Sequence, residues 1–420
     1  MKKWGISAIV LFIIYAALMY FYIFHWSSNG IPEVLKGTVA DPATFMTERE
    51  LLLSEEYSKV KNFIFFILTP LEWLVYLFIL GTGLSRVFEK WSELGLKWKV
   101  IKNGAYLFFL YLFTAILFYP VDLYRYNLSK KYGISTQDFS SWMRDYVIDF
   151  WVGFITTLII VIVLYWLLHI SKKRWWLYAW LLTIPFAIFM MYIQPVIIDP
   201  LYNEFYPLKD KALEEKILDL ADQANIPSEH VFEVNMAEKT NAMNAYVTGI
   251  GDNSRIVLWD TTLNQLSESE ILFIMAHEMG HYVQKHIYIG MAAYILSTLV
   301  GLWLISKIMP WLIDRFGQVL KIKEMKDINS LPLFLLLISL MLFLSNPVSN
   351  FVSRYQESRA DEYAMELTKN PEAAVSSFQN LAKTGLSEVN PPFIVKIFRY
   401  THPPMLERIN TVAEYTKKEK

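Results

Sequence analysis

Long apolar runs constrain this chain more than any other feature. About 20 apolar residues suffice for a helix to cross a bilayer, and seven runs approach that length: residues 5–24, 62–84, 104–124, 150–170, 175–198, 287–310 and 331–352. Backbone N–H and C=O groups must pair internally in lipid, so each run is expected to be helical. The first follows Met1-Lys2-Lys3, a basic start like that of a signal peptide, but it is too long and no small-residue cleavage site follows. It reads as a retained transmembrane helix. Trp151, Trp175 and Trp176 lie near span ends, where indole rings favour the interface. Pro70, Pro185 and Pro195 are candidate kinks.

Composition agrees with a membrane protein carrying a sizeable polar part: 54% of residues are apolar, 16% aromatic and only 19% charged. A net charge of −1 offers no basic surface for nucleic acid. The absence of cysteine excludes a disulfide framework, a thiol nucleophile and a Cys-ligated metal. There is no repeat of fixed period and no low-complexity tract.

The runs divide the chain. Residues 1–198 form a membrane part with five spans, 287–352 hold the last two, and 199–286 and 353–420 are polar. Within 209–224, Leu and Ile alternate with Asp, Glu and Lys at helical spacing. Segments 231–234, 245–248 and 254–259 read as short strands, with Gly249, Gly251 and Asn253 marking a turn between the last two. Asn370-Pro371 reads as a helix start, and His402-Pro403 as another.

After the strands comes Ile-Leu-Phe-Ile-Met-Ala-His-Glu-Met-Gly-His, in which His277, Glu278 and His281 stand as H-E-x-x-H. Ser267 and Glu270 fit a capping box at the start of this helix. Side chains four apart share one helix face, so both imidazoles can reach one ion. Glu278 then lies where it can take a proton from a metal-bound water, as in zinc metallopeptidases. The plainer alternative is an amphipathic helix with two histidines on its polar face. A third ligand must come from elsewhere. Glu357 and Asp361 are also four apart, just past the last span. Glu357 can complete a two-histidine, one-glutamate site, and Asp361 can accept the free ring N–H of a ligating histidine. Alone, this carboxylate pair would read as a solvated helix face. His25, His169, His230 and His286 are assigned no metal; His286, five residues after His281, should point to another face.

Taken together, H-E-M-G-H, a pair of spans, Glu357-Ser358-Arg359-Ala360-Asp361, and Thr401-His402-Pro403-Pro404 with Arg408 resemble the M48 metallopeptidases, specifically the Ste24-type CAAX prenyl endopeptidases. The resemblance runs over nearly the full length. It implies seven helices forming a barrel around a water-filled chamber, with a split α+β, gluzincin-like peptidase domain. It implies one zinc ion on His277, His281 and Glu357, Glu278 as general base, and Asp361 as a catalytic residue beside the ligands, in some such enzymes a proton donor. It places His402 and Arg408 near the metal to stabilise an oxyanion. Asn244 and Ala245, in Asn244-Ala245-Tyr246-Val247-Thr248-Gly249, would offer backbone groups to a substrate strand. The implied partners are a peptide or protein substrate, lipidated or membrane-associated, and the bilayer of a bacterial cell. An M48 quality-control protease, a transporter and a metal-binding scaffold without turnover are the competing readings. On membrane side the signals conflict. The basic loops follow the even-numbered spans, which puts the N-terminus in the cytoplasm and the zinc domain outside, whereas the resemblance implies a cytosolic zinc domain.

Overall fold

The computed structural model describes residues 2–27, 30–228, 230–248 and 255–418; the turn expected at Gly249, Gly251 and Asn253 lies outside them. Among the described residues, seven helices are long and apolar enough to cross a membrane. They begin with α1 (Lys2–Phe21), which continues as one wider π-helical stretch to Trp26. α2 (Glu48–Thr82) opens on a capping box, Thr47 with Glu50, and ends at Gly83 in the left-handed conformation, φ 84°. A short helix, α3 (Leu84–Glu93), returns the chain to α4 (Lys99–Lys131), α5 (Phe139–Ile170) and α6 (Trp175–Ile193).

These helices overrun the apolar runs. α2 starts 14 residues before the expected span, because Glu48–Lys61 is amphipathic and packs on the polar part of the chain. At 35 residues α2 is about 52 Å long at 1.5 Å per residue, against a hydrocarbon core of about 30 Å. Helix continues through Pro70 and Pro185, and at Pro195 it widens into a π-helical turn, Gln194–Ile198, leading to α7 (Asp199–Tyr202).

The polar section is a small mixed sheet with helices packed against it. β1 (Phe205–Pro207), α8 (Lys211–Gln223), β2 (Val231–Val234), β3 (Ala245–Thr248) and β4 (Arg255–Trp259) follow in order. The strand order is β1-β2-β4-β3; β2 and β4 are parallel and the other pairs antiparallel. β3 is therefore an edge, with Ala245 opposite Leu258. A short helix, α9 (Asp260–Gln265), leads into α10 (Glu268–Val283), which carries the expected capping box of Ser267 and Glu270.

α11 (His286–Leu320) and α12 (Leu331–Thr368) complete the membrane helices. α13 (Pro371–Thr384) is capped by Asn370, whose side chain accepts from Ala373 N–H. α14 (Phe393–Arg399) and α15 (Met405–Lys418) end the chain. The helix expected at His402-Pro403 starts at Met405, after both prolines.

Three cores fix the site. One joins α2, α4, α5, α11 and α12 through residues such as Leu80, Tyr106, Tyr165 and Phe334. A second seats Ile271, Met275 and Met279 of α10 against Ile256, Leu258 and α8. A third seats Phe273 and Ala276 on the opposite face of α10 against Ala364, Phe378 and Ile409. α10 is thus clamped on two faces, the second of which also meets α12. There Gly280 makes the approach possible: a Cβ on it would stand 3.2 Å from Ala360 Cα and 3.2 Å from the Tyr363 ring. A larger side chain would push the two helices apart, at a cost of about 1–3 kcal/mol.

Candidate active site

α10 and α12 meet where each carries its chemistry. His277 Nε2 and His281 Nε2 are 3.2 Å apart. Glu357 Oε2 lies 3.2 Å from His277 Nε2, and Oε1 lies 3.4 Å from His281 Nε2. Tetrahedral donors about 2.1 Å from an ion stand about 3.4 Å from one another, so the three groups converge as ligands of one small cation would. Glu357 Oε2 is buried and makes no hydrogen bond, although imidazole nitrogens of His277 and His402 face it. A cation between the donors would satisfy that oxygen and both ring lone pairs at once. Two nitrogens and a carboxylate are a donor set suited to zinc.

Behind the donors stands a buried carboxylate. Asp361 Oδ1 lies 2.8 Å from His277 Nδ1, within reach of the ring N–H that leaves Nε2 free. Arg408 holds Asp361 in turn, donating from Nε to Oδ2 at 2.9 Å and from Nη2 to Oδ1 at 2.6 Å. Its guanidinium also lies over the Phe378 ring, 4.1 Å from the centroid, and Arg408 is 6% exposed. Two of its nitrogens are thus committed to Asp361, and only Nη1 is left for anything in the cavity.

These surroundings set the proton affinities. Burial pushes the His277 imidazolium down, but the Asp361 and Glu357 carboxylates beside it outweigh this and carry its pKa up to about 10. His281 is lowered to about 4, first by burial and then by the charge of His277. Burial lifts Glu278 to about 7 against the lowering pull of His277. The carboxylates therefore call for a positive charge at the donors, which a proton or a metal ion supplies.

His286 stands where it was not expected. α10 ends at Val283, and Lys285 turns the chain with a left-handed φ of 58° before α11 starts at His286. The five-residue offset therefore does not run along one helix. The His286 ring comes back to the site, with its Nδ1 2.8 Å from His281 Nδ1. A proton on His281 Nδ1 shared with His286 leaves His281 Nε2 for a metal. No Gly or Pro marks this break, so little in the sequence announces it. His25, His169 and His230 lie elsewhere, against Tyr20, Lys99 and Phe232 respectively.

A cavity of about 390 Å³ reaches His277, one of the three donors; Glu278, Asn244, Ala245, His402 and Arg408 are also in its wall. His402 Nε2 is 3.4 Å from Glu357 Oε2, and its side chain is 55% exposed. The Asn244 backbone is spent inside the sheet: its C=O accepts from Trp259 N–H and Thr262 Oγ1, and its N–H donates to Thr262 Oγ1. Ala245 N–H donates to Asn244 Oδ1 at 3.0 Å. Sequence reasoning did not find Lys61, Glu388 or Arg399, which line the same cavity. A second cavity, about 700 Å³, lies among α2, α4 and α5 with Glu72, Asp122, Arg125 and Asp149 in its wall.

Comparison with known proteins matches this arrangement from end to end. Residues 22–204 match the CAAX prenyl protease N-terminal model, five membrane helices, and residues 207–416 match the peptidase family M48 model. YhfN of Bacillus subtilis, described as an uncharacterised metalloprotease, is 53% identical over 97% of this chain and 96% of its own length. The chain belongs to peptidase family M48. It is accordingly a membrane-embedded metalloendopeptidase. CAAX prenyl protease 1 of Saccharomyces cerevisiae is 26% identical to this M48 peptidase, covering 94% of this chain and 91% of its own. The crystal structure of S. mikatae Ste24p superposes with a TM-score of 0.80 at 23% identity and covers 97% of both chains. The expected fold, seven membrane helices with a split α+β peptidase part, is therefore the fold of this M48 member.

Proposed function

We propose that this M48 peptidase holds one zinc ion on His277, His281 and Glu357 and cleaves peptides in the adjoining cavity with Glu278 as general base. The convergence of three donors from two helices, all within 4.8 Å of one another, carries this reading. Zinc in such a site supplies Lewis acidity and brings the pKa of a water towards ~7. Glu278 accepts the proton of the attacking water and passes it to the leaving amine. Asp361 keeps His277 in the tautomer whose Nε2 is a donor, and Arg408 keeps Asp361 ionised and in place. His402, exposed and beside Glu357, turns its ring to the substrate carbonyl and donates to the oxygen as charge develops there. An extended substrate lies along the β3 edge. Its backbone partner is Ala245, since the Asn244 backbone groups are already used; the Asn244 side chain gives up the Ala245 N–H as the substrate binds.

The substrate is a peptide or protein reached at a bacterial cell membrane, lipidated or bare. Purified protein should contain one zinc per chain and cleave peptides in a manner lost on chelation and restored by zinc. A panel of lipidated and bare peptides reads whether a lipid is needed. Full activity in excess chelator, or no stoichiometric metal, would refute the reading.

The helix ends sharpen the membrane side. Segments 83–98, 171–174 and 321–330, at the end away from the site, hold Arg86, Lys90, Lys97, Lys172, Lys173, Arg174, Lys321, Lys323 and Lys326. At the site end, 27–47 holds only Lys36 and 132–138 no Lys or Arg, with Arg49, Lys130 and Lys131 in the adjoining helix ends. The positive-inside rule then opens the active site on the outer face. A reporter fused after Lys420 should be active only if it is of the exported type; a functional cytosolic reporter there reverses the assignment.

A further inference from the structure

Two imidazoles turn Nε2 to the donor centre. To bind through that atom, each must carry its ring proton on Nδ1. At His277 the proton has an acceptor, Asp361 Oδ1, 2.8 Å from Nδ1. At His281 the equivalent place is taken by a side chain that the chemistry so far has not used. His286 Nδ1 lies 2.8 Å from His281 Nδ1, and among the described residues nothing else pairs with that nitrogen. The two rings meet edge to face, with centroids 4.9 Å apart and planes at 71°. His286 is only 8% exposed, so little water reaches the contact.

The backbone is bent to make this contact. Lys285 holds a left-handed φ of 58°, which residues with a Cβ disfavour. Its N–H donates to the Tyr282 C=O at 3.0 Å, and Gln284 Nε2 donates to the Arg359 C=O on α12 at 3.2 Å. A disfavoured conformation persists only where its surroundings fix it, and such positions cluster at functional sites. The turn brings the first residue of α11 back to the last turn of α10, where His281 stands.

We propose that His286 is a positioning residue for the metal site: its Nδ1 accepts the Nδ1–H of His281 and fixes the tautomer and ring angle in which His281 Nε2 is a ligand. This rests on the reading of His277, His281 and Glu357 as the zinc site. The ring proton of His286 then sits on Nε2, and the acceptor behind His281 is neutral, whereas the one behind His277 is a carboxylate. α11, a membrane helix, thereby joins α10 and α12 in shaping the site.

The test is zinc affinity of the full-length protein, measured by competition with a chromophoric chelator, so that it does not depend on turnover. His286→Leu removes the acceptor, and affinity should fall about 10–100-fold, as on loss of other such outer partners. Asn places its side-chain oxygen where histidine has Nδ1, whereas Gln reaches one atom further, to where Nε2 stands. His286→Asn should therefore recover most of the lost affinity, and His286→Gln should stay as weak as His286→Leu. Unchanged affinity in His286→Leu overturns the proposal. So does an Asn variant that binds no better than the Gln variant, because packing alone would then account for the loss. A loss of affinity matched by an equal loss of stability in the zinc-free protein marks a packing role and overturns it as well. If His286→Leu does not fold, the comparison of Asn with Gln decides alone. Failure of the zinc site itself is distinct: the unaltered protein would then hold no stoichiometric zinc.

Discussion

Replacing Glu278 with glutamine should leave zinc at one ion per chain while peptide hydrolysis falls by about three orders of magnitude or more. The amide keeps the size and shape of the carboxylate but cannot accept the proton of the attacking water, and general base catalysis is worth about 10²–10⁴-fold. Glu278 is not among the three converging donors, so the ion has no reason to leave. Metal content by mass spectrometry and initial rates on one peptide give the two readings together. Cleavage at the unaltered rate would remove Glu278 from the mechanism.

The second large effect is expected at Arg408. Arg408→Met leaves the Asp361 carboxylate buried at 6% exposure without the two hydrogen bonds that now hold it. Removing one partner of a buried ion pair costs about 3–5 kcal/mol. The same change frees Asp361 to swing away from His277, and loss of such an outer partner weakens metal binding about 10–100-fold. Thermal unfolding in detergent and zinc competition with a chelator measure the two losses. Arg408→Lys should recover only part of either, because an ammonium cannot bridge both carboxylate oxygens in the fork geometry. An unchanged unfolding temperature in Arg408→Met would show that the pair does not support the site.

The parts of this architecture that are local were open to reading from the residues. The capping box of Ser267 and Glu270 and the four-residue spacings in α10 and α12 depend only on neighbours along one helix. β2 and β3 fall at the expected residues because apolar segments bounded by polar turns need no distant partner to be seen. β1 was not legible: Phe205–Pro207 is three residues long, contains a proline, and is a strand only because β2 lies beside it. The membrane helices exceed their apolar cores because their ends pack on the peptidase part, a tertiary effect. His286 was assigned away from the site on the assumption of one continuous helix, and the turn at Lys285 undoes that geometry. Lys61 and Arg399 stand far apart in sequence, so nothing short of the folded chain brings them to one wall. The reason for glycine at position 280 is likewise invisible until Ala360 is seen against it.

The length of α12 has a practical corollary. Glu357 sits 26 residues into it, about 39 Å from its start, on the same unbroken rod that crosses the bilayer. Any excised fragment retaining all three donors must therefore bring the hydrophobic hairpin of α11 and α12 with it. This peptidase cannot be shed from its membrane by a single proteolytic nick and remain whole, and any tilt of that rod would move Glu357 relative to His277 and His281.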